Sequence, residues 1–321
     1  MTQAPFPLSG SRVWVAGHRG MVGSAIARRL EARGDVEVLG WTSAELDLTD
    51  RDATVDAATD ANPDVVIVAA AKVGGILANR DGPIEFLRDN VRIQTNVMEA
   101  ADLADVDRLL FLGSSCIYPR LAPQPITAEA MLTGPLEPTN DAYAIATRAG
   151  VLHVQGYRRQ HDRRWISAMP TNLYGPGDDF DLERSHVLPA LIRRFDDAVR
   201  TGADTVTLWG TGTPRREFLH VDDAAAALIH LLEHHDGPEP VNVGTGEDLT
   251  IAELARLVAD VVGFTGTTAW DTTRPDGTPR KLLDVTPLRA SGWAPTIDLR
   301  EGITTTLAWY RQHVVGMDSA A

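Results

Sequence analysis

A glycine-rich turn near the start of the chain restricts its fold more than any other feature. Glycines 17, 20 and 23 directly follow a short apolar segment, residues 13–16, and open a stretch with helical periodicity, residues 20–33. In a strand-turn-helix unit of this kind the first glycine permits the turn, the second lets backbone approach a pyrophosphate, and the third allows close helix packing. The motif predicts a dinucleotide site formed by Gly17, His18, Arg19, Gly20, Met21, Val22 and Gly23.

Short apolar segments alternate with amphipathic stretches through the first half of the chain. We predict helices at residues 20–33 and 84–104, and buried parallel strands at residues 13–16, 37–41, 65–71 and 109–114. Later strands are predicted at residues 165–170 and 205–209. This alternation predicts an α/β fold, a Rossmann-like doubly wound parallel sheet. The later segments are shorter and richer in Pro, Gly and Asp, which indicates a smaller α/β substrate-binding domain.

The predicted domains are interleaved. We assign residues 1–177, plus about 215–245, to the cofactor-binding domain. The substrate-binding domain takes about 178–214 and 246–321.

Charge and composition exclude some classes of partner. A net charge of -14 disfavours nucleic acid, because binding a polyphosphate backbone needs many basic residues on one face. We expect no membrane span, since no apolar run approaches the ~18 residues that one requires, and no metal site. The N-terminal sequence lacks the features of a secretory signal and there is a single cysteine, Cys116, so we expect a cytoplasmic protein.

The end of the second predicted strand informs the choice of cofactor. An NAD-binding site usually places an acid there for the ribose 2'-hydroxyl, but residues 40–43 read Gly-Trp-Thr-Ser. Arg19 could instead bind a 2'-phosphate, which favours NADP(H). With no further arginine near Trp41 and Ser43, we expect weak selectivity for NADP(H) over NAD(H).

Reactive side chains follow the fourth predicted strand. Ser114 and Cys116 come at its carboxyl end, where open α/β sheets bind ligands. Tyr143 and Thr147 lie one turn apart on one helical face, and His186 comes further along the chain. Taken singly, a lone cysteine is more often inert core, and one histidine of nine is more often a surface residue.

Several strings in the sequence resemble those of the GDP-L-fucose synthase family of extended short-chain dehydrogenases/reductases. They extend from near the start to about residue 310, and they read AGHRGMVGSAI, AAAKVGGI, LFLGSSCIYP, LEPTN, MPTNLYGP, GTPRREFLHVDD and PDGTPRKLLDVT. The resemblance implies a GDP-4-keto-6-deoxymannose substrate that is epimerised at C3 and C5 and reduced at C4 by NADPH. It also implies a homodimer, formed through residues 84–104 and 142–160.

The resemblance also implies roles for individual residues. Ser114 would hydrogen-bond the C4 carbonyl and Tyr143 would protonate its oxygen, while Cys116 and His186 would move protons at the adjacent carbons. The GDP moiety would contact Arg194, Trp209, Arg216 and Lys281, with Asp276 close by. The strings that carry Leu112, Gly113, Pro170, Thr171, Asn172 and Leu173 would contribute to the cofactor site. Plainer explanations exist for Arg216, which could pair with Glu217 on the surface, and for Trp209, which could belong to the core.

One position departs from the family. Where the family has a lysine four residues after the tyrosine, this chain has Thr147, which carries no charge to stabilise a phenolate. The adjacent Arg148 lies on a different helical face and should not replace it fully. Slow reduction is therefore expected. An epimerase with little reductase activity and a nucleotide-sugar-binding protein without turnover remain as alternatives, and the sequence does not distinguish a 6-deoxy from a 3,6-dideoxy sugar.

Overall fold

The computed structural model describes residues 5–182, 184–274 and 276–316. The elements of the first half are β1 (Arg12–Ala16), α1 (Met21–Arg33), β2 (Glu37–Leu39), α2 (Arg51–Ala61), β3 (Val65–Val68), α3 (Ile76–Asp81), α4 (Pro83–Leu103), β4 (Arg108–Leu112), α5 (Asp141–His161) and β5 (Ile166–Pro170). Two 3-10 helices, Ser115–Ile117 and Ala128–Leu132, lie between β4 and α5.

Shorter strands dominate the second half. Its elements are β6 (Asn172–Tyr174), α6 (Val187–Thr201), β7 (Thr205–Trp209), β8 (Arg215–Arg216), β9 (Phe218–His220), α7 (Val221–His234), β10 (Val241–Val243), β11 (Leu249–Thr250), α8 (Ile251–Val262), β12 (Thr267–Asp271), β13 (Arg280–Lys281), α9 (Thr286–Ala290) and α10 (Leu299–Tyr310). A π-helix, Arg311–Val315, continues α10.

Six strands form a parallel sheet in the order β2-β1-β3-β4-β5-β10. The chain moves from β1 outward to β2 and then back to β3 on the other side of β1, so the topological switch point lies between β1 and β3. Ligands bind at such a point in open parallel sheets. The predicted fold class is therefore confirmed.

Alternating side chains of the central strands enter two separate cores. Val13 and Val15 pack with α1 and α7 on one face of the sheet, while Trp14 and Ala16 pack with α2, α4 and α5 on the other. This is the period of two expected for a strand covered by helices on both faces.

Several strands end earlier than predicted. The second ends at Leu39, the third at Val68 and the fourth at Leu112, rather than at residues 41, 71 and 114. Past the ends of β3 and β4 the pairing continues by one backbone hydrogen bond each, from the Ala69 N–H to the Ala16 carbonyl oxygen at 3.0 Å and from the Gly113 N–H to the Ala168 carbonyl oxygen at 2.9 Å. Both predicted helices, 20–33 and 84–104, agree with α1 and α4 to within one residue at each end.

A third core lies outside the large sheet. It is formed by apolar side chains of α6, α8 and α10 together with β7, such as Phe195, Leu208, Leu254 and Leu307. β7 pairs in parallel with β12, and β8 lies between β11 and β13 in a small three-stranded sheet. The proposed domain boundaries stay a prediction.

Across the described residues, helices are too short or too polar to cross a membrane.

Candidate active site

The glycine-rich turn is packed tightly against backbone on two sides. Gly17 has a φ of +89°, and a Cβ there would lie 2.8 Å from the backbone of Ala70, in the loop that follows β3. A Cβ on Gly23 would lie 2.1 Å from the Gly17 carbonyl oxygen. A side chain at either position would push α1 away from the sheet, so both positions require glycine.

The start of α1 is suited to an anion. Gly20 is the N-cap and provides no side chain to cap the first turn, which also carries no acidic residue. The first N–H groups and the positive end of the helix dipole therefore remain available to a ligand. These features fit the pyrophosphate of a dinucleotide.

A carboxylate that sequence reasoning missed lies beside the predicted 2'-phosphate site. The Glu45 carboxylate accepts a hydrogen bond from the Thr42 N–H at 2.8 Å. This bond lowers the pKa of Glu45, and the charge of the exposed Arg19 lowers it further. Glu45 lies in the turn after β2, whereas the prediction considered only residues 40–43 at the end of the strand. It therefore did not include this carboxylate.

A cavity of about 530 Å³ opens at the carboxyl edge of the sheet. Its lining includes most of the residues that the sequence indicated. They are Ser114, Cys116, Tyr143 and His186 among the reactive candidates, Gly20, Met21, Val22, Leu112, Gly113, Pro170, Thr171, Asn172 and Leu173 for the cofactor, and Arg194, Trp209, Arg216, Asp276 and Lys281 for the substrate. Thr147, Gly17, His18, Arg19 and Gly23 are outside this lining.

Cys116 lies in the 3-10 turn that follows β4. Ser114 caps this turn, since its Oγ accepts a hydrogen bond from the Cys116 N–H at 3.3 Å. Burial raises the pKa of the thiol, and the positive charge of Lys281 is the largest influence that lowers it. The thiol is therefore protonated at neutral pH and can donate a proton.

His186 occupies the N-cap position of α6, and its side chain makes no capping hydrogen bond. Protein atoms pack closely around His186, but the part of its surface that faces the cavity is exposed. Burial lowers the pKa of the imidazole, and the nearby charge of Lys281 lowers it further. A neutral imidazole at pH 7 can accept a proton, so His186 and Cys116 have complementary protonation states.

Tyr143 lies in the first turn of α5 and packs edge-on against Phe86, with ring centroids 6.3 Å apart. Burial raises the pKa of its phenol, Cys116 raises it further, and the nearby Thr147 hydroxyl lowers it. Among the described residues, no cation contributes to the pKa of this phenol. A phenolate at Tyr143 is consequently poorly stabilised.

Thr147 is buried and its hydroxyl donates to the Tyr143 carbonyl oxygen at 3.0 Å. It lines a second cavity of about 10 Å³, together with Tyr143, Asn90 and Gln94. Arg148 is turned towards the 3-10 turn, where its Nε donates to the Ile117 carbonyl oxygen at 2.7 Å. The guanidinium thus does not occupy the place of the missing lysine.

A basic pair also lines the main cavity. Arg216 and Lys281 are register partners of the parallel strands β8 and β13. Burial lowers the pKa of both groups. The suggested surface pair of Arg216 with Glu217 is wrong, because the fully buried Glu217 carboxylate accepts hydrogen bonds from the Gly246 N–H at 2.7 Å and the Leu283 N–H at 3.0 Å.

Glu137 is a cavity residue that sequence reasoning missed, although the LEPTN string contains it. Its carboxylate pairs with Arg120 at 3.1 Å and accepts a hydrogen bond from Thr278 Oγ1 at 3.2 Å. Its charge also favours the protonated forms of Arg216 and Lys281. Glu137 therefore opposes the effect of burial on the pKa of both basic groups.

Trp209 is not part of the core, since 41% of its surface is exposed. Two guanidinium groups lie near its ring, that of Arg194 at 5.9 Å and that of Arg274 at 5.0 Å. Asp276 accepts hydrogen bonds from the Thr211 N–H and hydroxyl at 2.8 and 2.9 Å. Arg274 was not predicted, because no motif distinguishes it from other exposed arginines.

Comparison with known proteins identifies the family. Residues 13–244 match the NAD dependent epimerase/dehydratase family. The chain belongs to this family. It is 55% identical to GDP-L-fucose synthase 1 of Arabidopsis thaliana, over 95% of this chain and 94% of that protein. It is 52% identical to the GDP-L-fucose synthase of Escherichia coli (strain K12), over 95% and 98%.

A solved structure has the same fold. The GDP-L-fucose synthetase of Naegleria fowleri bound to NADP superimposes with a TM-score of 0.88, at 27% identity, over 97% of both chains.

The electrostatic coupling of His186 with Lys281 gives a pH prediction. We expect His186 to titrate below pH 6.5, because burial and the Lys281 ammonium both disfavour imidazolium. Lys281→Met removes one of these effects and should move the midpoint upward. NMR titration of the histidine ring protons, with His186→Gln for assignment, measures both midpoints.

Arg256→Met, at an exposed position on α8, is the matched control and should leave the midpoint unchanged. A His186 midpoint that does not respond to Lys281→Met would contradict the coupling.

Proposed function

We propose that the chain is a GDP-L-fucose synthase, which epimerises GDP-4-keto-6-deoxymannose at C3 and C5 and reduces it at C4 with NADPH. The observation that carries the proposal is a single cavity lined by a thiol, an imidazole, a phenol and a serine hydroxyl beside a basic pair. The two relatives, at 55% and 52% identity over nearly the whole chain, have this activity in their names.

Proton transfer at C3 and C5 is assigned to Cys116 and His186. Hydrogens beside the C4 ketone are acidic, because the carbanion is delocalised onto the carbonyl oxygen. One of the two residues removes a proton from one face of the ring, and the other returns a proton from the opposite face, which inverts the carbon. Ser114 and Tyr143 donate hydrogen bonds to the carbonyl oxygen, where the negative charge develops.

Reduction at C4 uses the same oxygen. NADPH, when bound at the glycine-rich turn, supplies the hydride. Tyr143 donates its phenolic proton to the C4 oxygen while Ser114 keeps its hydrogen bond to that atom. The raised pKa of Tyr143 keeps the phenol protonated before the step, but the phenolate left afterwards lacks a neighbouring cation among the described residues.

The nucleotide is held by the basic pair and three further residues of the cavity lining. Arg216 and Lys281 bind the diphosphate, since a guanidinium fork and an ammonium suit phosphate oxygens. Arg194, Trp209 and Asp276 bind the remainder of the GDP. An acidic protein can thereby bind an anionic substrate, and we place its activity in the cytoplasm.

A second candidate function is supported by Thr147. An epimerase that releases a GDP-4-keto sugar with little reduction would need Cys116 and His186 but no cation beside Tyr143. Cys116 and His186 both line the cavity, which favours this alternative over complete loss of chemistry.

The proposal is tested by incubating the protein with GDP-4-keto-6-deoxymannose in deuterated water, with and without NADPH. We expect deuterium at C3 and C5 in both reactions, and GDP-L-fucose only with NADPH. Label without the C4 alcohol would select the second candidate. Tight binding of the sugar nucleotide with no label would indicate a binding protein without turnover.

Restoring a positive charge beside Tyr143 should accelerate reduction. We expect Thr147→Lys to raise the single-turnover rate of NADPH oxidation by at least roughly ten-fold, because an ammonium stabilises the phenolate. The rate of deuterium exchange at C3 and C5 should change little. Thr147→Met, which has similar length without charge, is the control. The electrostatic explanation would be contradicted if the rate of NADPH oxidation rose equally in both variants, or if it rose in neither.

We further propose a homodimer formed through α4 and α5. Five large apolar side chains are exposed on these helices, and they are Ile84, Leu87, Leu103, Ile145 and Leu152. Burying them in a second copy would remove this apolar area from water.

A charge on this surface should disrupt the dimer. We expect Leu152→Arg to give a monomer in sedimentation equilibrium at micromolar protein. Leu121→Arg places the same charge on a side chain that is 79% exposed in a loop outside both helices, and should leave the dimer intact. A monomeric unmodified protein, or a dimeric Leu152→Arg variant, would disprove the interface.

A further inference from the structure

Two buried asparagines hold the loop formed by residues 72–75, called here the KVGG loop. Asn90 Oδ1 accepts from the Lys72 N–H at 2.7 Å, and its Nδ2 donates to the Lys72 carbonyl oxygen at 3.0 Å. At the other end, Asn79 Nδ2 donates to the Gly74 and Gly75 carbonyl oxygens at 2.7 and 3.1 Å. Because both asparagines are at least 94% buried, the ends of the loop are fixed although Val73 is exposed.

The KVGG loop contacts the segment that carries His186. The Gly75 N–H donates to the Arg184 carbonyl oxygen at 2.7 Å. A Cβ on Gly75 would lie 2.7 Å from the Ser185 carbonyl oxygen and 2.9 Å from that of Arg184. Gly75 has a φ of -67°, which any residue adopts. Glycine is therefore required here by the close approach of two backbones and not by its own conformation.

His186 directly follows this contact. Its side chain does not cap α6, so the position of the ring depends on the backbone of residues 184–186. The Ser185 N–H also donates to the Asp181 carbonyl oxygen at 2.9 Å, a local hydrogen bond four residues back along the chain. The contact with Gly75 is long-range, because Gly75 lies in the loop after β3. The neighbouring strand, β4, is followed by the turn that contains Cys116.

We propose that the KVGG loop is a positioning element for His186, with Gly75 and Asn79 as its positioning residues. The inference rests on the proposed epimerase function. Cys116 and His186 belong to different parts of the fold, one after β4 and the other at the start of α6. The loop sets their separation, which decides whether the proton removed from one face is replaced from the other.

The proposal predicts a specific defect when His186 is displaced. Once the Cys116 thiol has lost its proton to solvent, the thiolate can remove a proton from the carbon and return a deuteron to the same face, so the carbon exchanges hydrogen without inversion. Displacements of ~1 Å in a catalytic group can cost about a hundred-fold in rate. A general loss of the site would instead lower exchange and inversion together.

Gly75→Ala tests this with GDP-4-keto-6-deoxymannose in deuterated water, by mass spectrometry for exchange and NMR for configuration at C3 and C5. We expect inversion to fall at least ten-fold, by the displacement argument, and deuterium incorporation with retention to fall much less. Gly156→Ala is the control, because a Cβ there meets nothing within 4 Å, and its ratio of inversion to exchange should equal that of the unmodified protein.

Asn79→Asp provides a second variant if Gly75→Ala fails to fold. The carboxylate keeps the shape of the amide but cannot donate to the Gly74 and Gly75 carbonyl oxygens, so the same fall in the ratio is expected. An unchanged ratio in folded Gly75→Ala and Asn79→Asp would overturn the positioning role. If the unmodified protein neither exchanges nor inverts, the proposed function itself is wrong.

Discussion

The close approach of Gly23 to the Gly17 carbonyl oxygen is the constraint on which the rest of the site depends. It brings the start of α1 against β1, and the positive φ of Gly17 lets the same turn meet the backbone of Ala70. The uncapped N–H groups of α1 and the loops after β3 and β4 consequently share one edge of the sheet. A cofactor bound at the helix start is thus close to the hydroxyls and the thiol that follow β4.

Charge is distributed unevenly around the main cavity. Lys281 influences both Cys116 and His186, lowering the pKa of each, whereas among the described residues no cation acts on Tyr143. The groups assigned to epimerisation therefore have electrostatic support that the group assigned to reduction lacks. Glu137, in the same cavity, favours the protonated forms of Arg216 and Lys281, whereas burial lowers the pKa of both.

The sequence predicted five of the six strands of the large sheet but not β10, and the central strands were predictable because they are buried on both faces and read as continuous apolar runs. The ends of those strands were less predictable, since the apolar pattern continues through residues 69–71 although β3 ends at Val68. The placement of Tyr143 and Thr147 on one helical face followed from helical periodicity. Glu45, Glu137 and Arg274 were missed, because their positions depend on turns and long-range contacts that have no local signal.

Gly75 illustrates how a positional requirement can be invisible in a sequence. Its backbone conformation is ordinary, and the GG pair reads as a flexible turn. Only the approach of residues 184 and 185 explains the glycine, and that approach links the loop after β3 to the start of α6. Thr147 lies on α5, whereas Cys116 follows β4 and His186 precedes α6. In the proposed mechanism the two steps share Ser114 and Tyr143 at the C4 oxygen, and only proton transfer at C3 and C5 also needs Cys116 and His186.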